Sequence, residues 1–234
     1  MNPASLTMTT PIPVIEASPE EIYDIELEHS LLEANAKLAE ANRAVLDQHG
    51  ITSIDFMGAI GSGKTSLITR LVEKIRPRLG VAVLNGDATV STDFDKVAGQ
   101  GVPIVQIATV NGCHLDANVV GKALKKLDLE NIRLLFIENI GNLICPAEFP
   151  LGSKARVIVI SVTEGPYMVK KHPHMFLGAE IVVINKLDLA GPMGVSVTEL
   201  THDVHTLKPD IRVFPTSCKT GFGVEQVATA LLAI

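Results

Sequence analysis

The sequence predicts an α/β fold, a doubly wound and mainly parallel sheet flanked by helices, with an N-terminal helical extension. Three observations carry this. From residue 51 onward, short Val/Ile/Leu-rich runs alternate with longer stretches of helical periodicity. Most of those runs are unbroken rather than alternating, as expected where helices cover both faces of a sheet. A glycine-rich loop lies between the first run and the first helical stretch, where doubly wound folds carry ligand loops.

Along the chain, residues 1–17 are Thr- and Pro-rich and read as a flexible tail. Ser18, Pro19 and Glu21 then form a helix start: an N-cap, a proline suited to the first helical position, and the glutamate of a capping box. Leu27, Leu31, Ala34, Leu38, Ala41 and Val45 recur at three- and four-residue steps, so this stripe is expected to face the core or a partner. Gly50 stops the helix. Strands are predicted at 54–57, 81–85, 103–107, 134–137, 156–161, 181–184 and 212–215. Helices are predicted at 66–79, 115–127, 195–207 and 224–232. Two parts follow: 1–50, the flexible N-terminus plus long helix, and 51–234, one α/β domain.

Gly58-Ala59-Ile60-Gly61-Ser62-Gly63-Lys64-Thr65 fits G-x-x-x-x-G-K-[ST], the phosphate-binding loop, in the required strand–loop–helix context. Glycines let the backbone curl so that N–H groups of Gly58, Gly61, Ser62, Gly63 and Ser66 converge on phosphate oxygens. Lys64 reaches the β- and γ-phosphates, and the Thr65 hydroxyl ligates Mg²⁺. Residues 51–234 thus read as a P-loop domain.

A second motif identifies the base. Asn185-Lys186-Leu187-Asp188 follows the buried run Val182-Val183-Ile184. A carboxylate at Asp188 can accept from the ring N–H and exocyclic amine of guanine, whereas adenine offers no such donor pair. Downstream of a phosphate loop, this favours GTP and GDP over ATP. Ser217, Cys218 and Lys219 follow the last strand and resemble the third base-facing loop of G-proteins, with Cys218 small enough to let the backbone approach the base.

Glu138 ends the apolar strand Leu134-Leu135-Phe136-Ile137, where an acid can hold Mg²⁺ directly or through water. Gly141 corresponds to the G-protein glycine whose N–H bonds the γ-phosphate. Asp87 and Asp93 fall in the other candidate switch and join Lys64 and Glu138 as catalytic candidates, with Asp87 also a Mg²⁺ ligand; Asp95 is the lesser choice. No glutamine or arginine stands out to position water or stabilise charge, so slow intrinsic hydrolysis is expected.

Hydrophobic residues make up 47% of 234 residues, ample for a core, and aromatics only 4%. A net charge of −6 argues against a nucleic-acid partner. No apolar run approaches a membrane span and residues 1–13 lack a signal-peptide layout, so a cytoplasmic protein is expected. Three cysteines do not make a disulfide framework. Cys113-His114 and Cys145 supply thiolate and imidazole, ligands for Zn²⁺ or Ni²⁺, although cysteine is often only a small buried hydrophobe. Three ligands leave a position open, which a second copy across a twofold axis could close. His172, His174, His202 and His205 read as solvated.

The chain resembles the HypB family, SIMIBI-class P-loop GTPases that help insert nickel into hydrogenase. The resemblance runs from about residue 31 to the end. It rests on Leu32-Glu33-Ala34-Asn35-Ala36-Lys37-Leu38-Ala39, the phosphate loop, Asn111-Gly112-Cys113-His114-Leu115-Asp116, the stretch from Glu138-Asn139-Ile140-Gly141 through Cys145-Pro146-Ala147-Glu148-Phe149, and Asn185-Lys186-Leu187-Asp188. It implies nickel or zinc binding at Cys113, His114 and Cys145, and a GTP-dependent homodimer with the metal at its interface. It also implies transfer to a HypA-like nickel- and zinc-binding partner, and from there to the hydrogenase large subunit.

Departures are local. Residues 1–17 contain neither the Cys-rich nor the His-rich tract of some relatives. Phe149-Pro150-Leu151-Gly152-Ser153 and Gly165-Pro166-Tyr167 replace segments that usually carry acids, and Lys96 replaces a common arginine. Rival readings are a urease-type nickel-insertion GTPase, which uses Cys-Pro-His, a Mrp/ParA-like ATPase, whose loop carries an extra lysine, and a metal buffer or scaffold with vestigial nucleotide binding.

Overall fold

A computed structural model of the chain describes residues 19–86, 97–99, 101–107, 114–142 and 144–234, with side chains from residue 30 onward. Long helix α1 (Pro19–Gln48) precedes the sheet. β1 (Thr52–Met57) runs into the phosphate loop and α2 (Lys64–Ile75). β2 (Val81–Asn85), β3 (Ile104–Gln106), α3 (Ala117–Leu124) and β4 (Leu134–Glu138) follow. After them come α4 (Cys145–Glu148), β5 (Ala155–Ser161), α5 (Met168–Lys171), α6 (Pro173–Leu177) and β6 (Ile181–Asn185). The chain closes with α7 (Ala190–Met193), α8 (Val197–Leu207), β7 (Arg212–Pro215) and α9 (Val224–Leu232).

Among the described residues, seven strands form one sheet in the order β3-β2-β4-β1-β5-β6-β7. Every pairing is parallel. β1 lies near the middle, and the chain leaves it toward one edge before returning to the other. The crevice at this reversal, beyond the carboxyl ends of the strands, is where such sheets bind ligands. Register aligns those ends: Asn85 and Phe56 both pair with Glu138, and Ser161 pairs with Asn185. All five residues of β2, β4 and β6 are buried, the signature of a sheet covered on both faces.

One face packs on α2 and α9 through Leu67, Leu71, Val227 and Leu231, around Phe56 and Phe136, whose rings meet edge-on at 5.2 Å. The opposite face packs on α3 and α1 on one side, and on α5, α6 and α8 on the other. The predicted strands all appear, with shifts of one or two residues. α2 starts directly after left-handed Gly63 and stops before Pro77, which cannot donate to a helix ladder. α3 starts later than expected because Asp116 caps it, accepting the Val119 N–H at 2.9 Å. No helical period announces α4 to α7, which are at most five residues long. Gly50, at φ 64°, ends α1 as expected.

Of the two placements expected for the α1 stripe, packing on the core of its own chain is corrected. Leu31, Leu38 and Val45 of the expected stripe are 58%, 44% and 37% exposed. Ala34 and Ala41 are exposed with them. The buried face is instead Asn35, Ala39, Asn42 and Leu46, each at most 7% exposed. Backbone groups at the landing surface explain this rotation of the buried face by one residue, about 100° around the helix. Asn35 accepts from the Ala117 N–H at 2.8 Å and donates to Pro150 O at 2.9 Å. Asn42 donates to Ala117 O at 2.7 Å and to Leu151 O at 3.1 Å. An apolar stripe there would leave these groups dry and unpaired, which costs more than leaving leucines in water.

Candidate functional site

The phosphate loop is closed by side chains from distant strands. Gly63, at φ 100°, leaves no room for a side chain: a Cβ there would lie 2.2 Å from Asn185 Nδ2. That amide donates to Ser62 O at 3.0 Å, while Asn185 Oδ1 accepts from Thr216 Oγ1 and from the Cys218 N–H, each at 3.2 Å. Asn185 therefore ties the phosphate loop to the loop after β7. Lys64 is buried, with Nζ donating to the carbonyls of Gly58 and Ala59 at 3.3 Å, so its ammonium lies over the loop's first turn. Six of the predicted phosphate-loop residues, Gly58, Gly61, Ser62, Gly63, Thr65 and Ser66, thus stand on one turn at the end of β1.

The residues expected to face the base converge beside it. Gly63, Ser66, Asn185, Lys186, Asp188, Cys218 and Lys219 are among the residues lining a cleft of about 440 Å³. The Ser217 hydroxyl donates to Asp188 Oδ1 at 2.6 Å, and this bond holds the carboxyl below its ordinary value, helped by Lys219 and Lys186. A carboxylate fixed and ionised in this way can accept two donors from a purine edge. Lys186 has φ 62°, left-handed without being glycine, and its ammonium donates to Thr163 Oγ1 at 3.3 Å across the cleft wall. Cys218 is half-buried, packs against the core beside α2 and α9, and offers its N–H to Asn185, in keeping with a packing role.

On the γ-phosphate side, Thr65 Oγ1 donates to Glu138 Oε1 at 2.7 Å, bringing together the hydroxyl and carboxylate expected at Mg²⁺. Gly141 is required by close approach, since a Cβ there would lie 2.5 Å from the Ile60 side chain. The loop after β4 therefore lies on the phosphate loop. Asp87, Asp93, Asp95, Lys96 and Cys113 lie outside the described residues.

Three residues not singled out as site residues by sequence reasoning emerge. Glu164, just past β5, accepts the Ser161 N–H at 3.0 Å through Oε1, while its Oε2 is buried without a partner. Burial outweighs the nearby Lys186 and Lys64 ammoniums and pushes the carboxyl up to about 7. The unfolded value is 4.5, so between about 4.5 and 7 the unfolded chain releases a proton that the fold retains. Stability of the nucleotide-free protein therefore falls as pH rises through that window and levels off above it. The full shift is worth at most about 3 kcal/mol, and solvent contact lowers this to about 1–2 kcal/mol. Glu164→Gln is expected to flatten the fall. Thermal unfolding between pH 5 and 8 checks this, and an equal slope in both proteins would refute it.

Asn139 is fully buried. It donates to Asp55 Oδ1 at 3.2 Å and accepts the N–H of Leu115 at 3.2 Å and of Ile140 at 3.0 Å. One side chain thus joins the loop carrying Glu138 and Gly141 to the residue after His114. Phe149 is the third: its ring stacks on His114 with centroids 3.8 Å apart and planes 23° apart. Desolvation lowers the His114 pKa against the opposing pull of Asp116, which favours the neutral, metal-binding imidazole. Cys145 is a half-buried free thiol at the first residue of α4, four positions before Phe149. The stack therefore sets the imidazole-bearing segment against the thiol-bearing one. Among the described residues no three His, Cys, Asp or Glu side chains converge. His202 and His205 are exposed as expected, and His205 Nε2 is 3.1 Å from Ile211 O. His172 and His174 line a groove of about 420 Å³ beside Ile144 and Glu148.

The chain is similar to known proteins over most of its length. Residues 53–215 match the family model described as CobW/HypB/UreG, nucleotide-binding domain. The chain is 43% identical over 203 residues to a probable hydrogenase maturation factor HypB of Methanocaldococcus jannaschii, covering 87% of this chain and 92% of that protein. The crystal structure of hydrogenase maturation factor HypB from Archaeoglobus fulgidus superposes with a TM-score of 0.82 at 40% identity, covering 86% of this chain and 98% of that one. HypB from Helicobacter pylori, crystallised in complex with nickel, superposes with a TM-score of 0.80 at 32% identity, covering 86% and 94%.

Proposed function

The chain belongs to the CobW/HypB/UreG nucleotide-binding family, and from that premise we propose that it is a slow GTPase that transfers nickel during the maturation of nickel–iron hydrogenase. Asp188, held ionised by Ser217, selects guanine, with Asn185, Lys186, Cys218 and Lys219 framing the base. Gly58 to Ser66 and Gly141 hold the phosphates. Thr65 and Glu138 fit a Mg²⁺ ion, since a hydroxyl and a buried carboxylate already meet beside the phosphate loop; Asp87 and Asp93 are the further candidates. When bound, Mg²⁺ neutralises charge developing on the phosphates.

Nickel or zinc is the cargo, taken by Cys113, His114 and Cys145. The single observation carrying this reading is the His114–Phe149 stack, which brings the imidazole segment against the segment whose thiol, Cys145, lies only four residues beyond Gly141. Two ligand segments meeting beside a nucleotide-sensing loop allow metal affinity to follow nucleotide state. The H. pylori relative is a nickel complex and the M. jannaschii relative is named as a hydrogenase maturation factor, which supports the cargo and the pathway. A GTP-dependent homodimer sharing the metal at its interface, a HypA-like receiving partner, the hydrogenase large subunit as eventual recipient and a cytoplasmic setting complete the proposal. No helix among the described residues is long and apolar enough to cross a membrane.

Gel filtration with metal analysis tests it. With a non-hydrolysable GTP analogue the protein is expected to elute as a dimer that retains nickel, and with GDP as a smaller species of lower nickel content. Cys145→Ala is expected to weaken nickel binding about tenfold or more. Identical size and nickel content with both nucleotides would overturn the reading.

A further inference from the structure

We propose that Asn35 and Asn42 of α1 are positioning residues of the transition-metal site, lacing its two ligand-bearing segments into one rigid frame. This rests on the reading of His114 and Cys145 as ligands. The two asparagines are seven residues apart, two helical turns, and so point from one face of α1. Both meet Ala117, three residues after His114: Asn35 Oδ1 accepts its N–H at 2.8 Å and Asn42 Nδ2 donates to its carbonyl at 2.7 Å. The same side chains donate to Pro150 O at 2.9 Å and Leu151 O at 3.1 Å, five and six residues after Cys145. Every bond crosses between segments far apart in sequence. Each asparagine thus joins the segment after the histidine ligand to the segment after the cysteine ligand.

A side-chain amide suits both places: that of Asn35 accepts from an N–H and donates to a carbonyl at once, and the two N–H groups of Asn42 Nδ2 serve two carbonyls. Close packing leaves the lacing little freedom. A Cβ on Gly121 would lie 2.7 Å from Asn42 Oδ1, and one on Gly152 would lie 2.4 Å from Ala39 O. Arg43 extends the seam, donating to Gly152 O at 2.8 Å and also to Ser153 O. From the nucleotide side, Asn139 holds the Leu115 N–H of the same segment. Residues 114–117 are therefore gripped at one point by the phosphate-sensing loop and at the next by α1. Groups that orient metal ligands typically change affinity 10–100-fold when altered.

Asn42→Asp and Asn35→Asp in the full-length chain test the proposal. The first sets a carboxylate against two carbonyls, and the second keeps the acceptor for Ala117 but loses donation to Pro150. Nickel(II) affinity is read by competition with a chromophoric chelator, ligand geometry by the thiolate-to-nickel charge-transfer absorption, and folding by GDP affinity. Each variant is expected to bind nickel about tenfold or more weakly, with a shifted charge-transfer band and GDP affinity within about twofold of wild type. Wild-type nickel affinity and spectrum in both variants would overturn the proposal. So would a parallel loss of GDP and nickel binding in both, which marks the asparagines as purely structural. Cys145→Ala separates this from the underlying reading: if that variant also leaves nickel binding unchanged, the ligand assignment itself fails.

Discussion

Replacing Asp188 by asparagine is expected to lower GDP affinity about 100-fold or more and to make the xanthine nucleotide the preferred ligand. The carboxylate is fixed rather than merely present, because Ser217 Oγ donates to Oδ1 at 2.6 Å and Lys219 and Lys186 stand nearby. Guanine offers it two donors, a ring N–H and an exocyclic amine. An asparagine keeps one acceptor and sets a donor against the other, so one contact turns from attraction to repulsion. Xanthine replaces the exocyclic amine by a carbonyl, which the new donor satisfies. Asp188 lies at the open rim of its cleft, so the fold tolerates the change. Competition of GDP and XDP against a fluorescent nucleotide on both proteins checks the result. An asparagine variant that still preferred GDP would remove the base assignment.

Glu138→Gln is expected to reduce GTP turnover about 100-fold while leaving GDP binding nearly intact. Glu138 Oε1 accepts from Thr65 Oγ1 at 2.7 Å, and the carboxyl is fully buried. Glutamine matches its shape and can still accept from Thr65, so the hydrogen bond survives and the negative charge does not. A divalent cation held by Thr65 and Glu138 would lose a fixed counter-charge, and the Mg²⁺ concentration for half-maximal turnover is expected to rise. Burying an amide is cheaper than burying a carboxylate, so the variant's thermal midpoint matches or exceeds that of the wild type. This separates a catalytic loss from unfolding. Magnesium titration of turnover is the measurement, and an unchanged curve would shift the role to Asp87 or Asp93.

Both arguments begin from motifs that local sequence makes legible. The phosphate loop is readable because its chemistry needs glycines, a lysine and a hydroxyl at adjacent positions, between a strand and a helix. Asn185 and Asp188 are readable for the same reason, although their assignments differ from appearance. Asp188 is the base-facing group proposed from sequence, whereas Asn185 acts in the structure as a tie between Ser62 O and the Cys218 N–H. The strands were legible because sheets covered on both faces demand apolar residues at every position, as in β2, β4 and β6.

Other features left no local trace. α4, α5 and α6 are too short to show a helical period. Glu164 reads as an ordinary acid until the end of β5 is set beside Lys64 and Lys186. Phe149 reads as a hydrophobe until its ring is found against His114. The buried face of α1 is turned by one residue, about 100°, from its apolar stripe, and the cause lies in hydrogen bonds to residues 75 to 115 positions away.

Residue chemistry at short range was enough to mark a phosphate loop, a carboxylate proposed to select guanine, a parallel sheet and two thiol-bearing segments, because each depends on neighbours a few positions apart. Which groups meet across the molecule was a matter of folding alone. Unpaired backbone donors and acceptors, created where loops land on one another, demand partners, and a linear pattern of hydrophobicity does not record that demand. On α1 it outweighed three exposed leucine and valine side chains and drew two asparagines to the segments that follow His114 and Cys145.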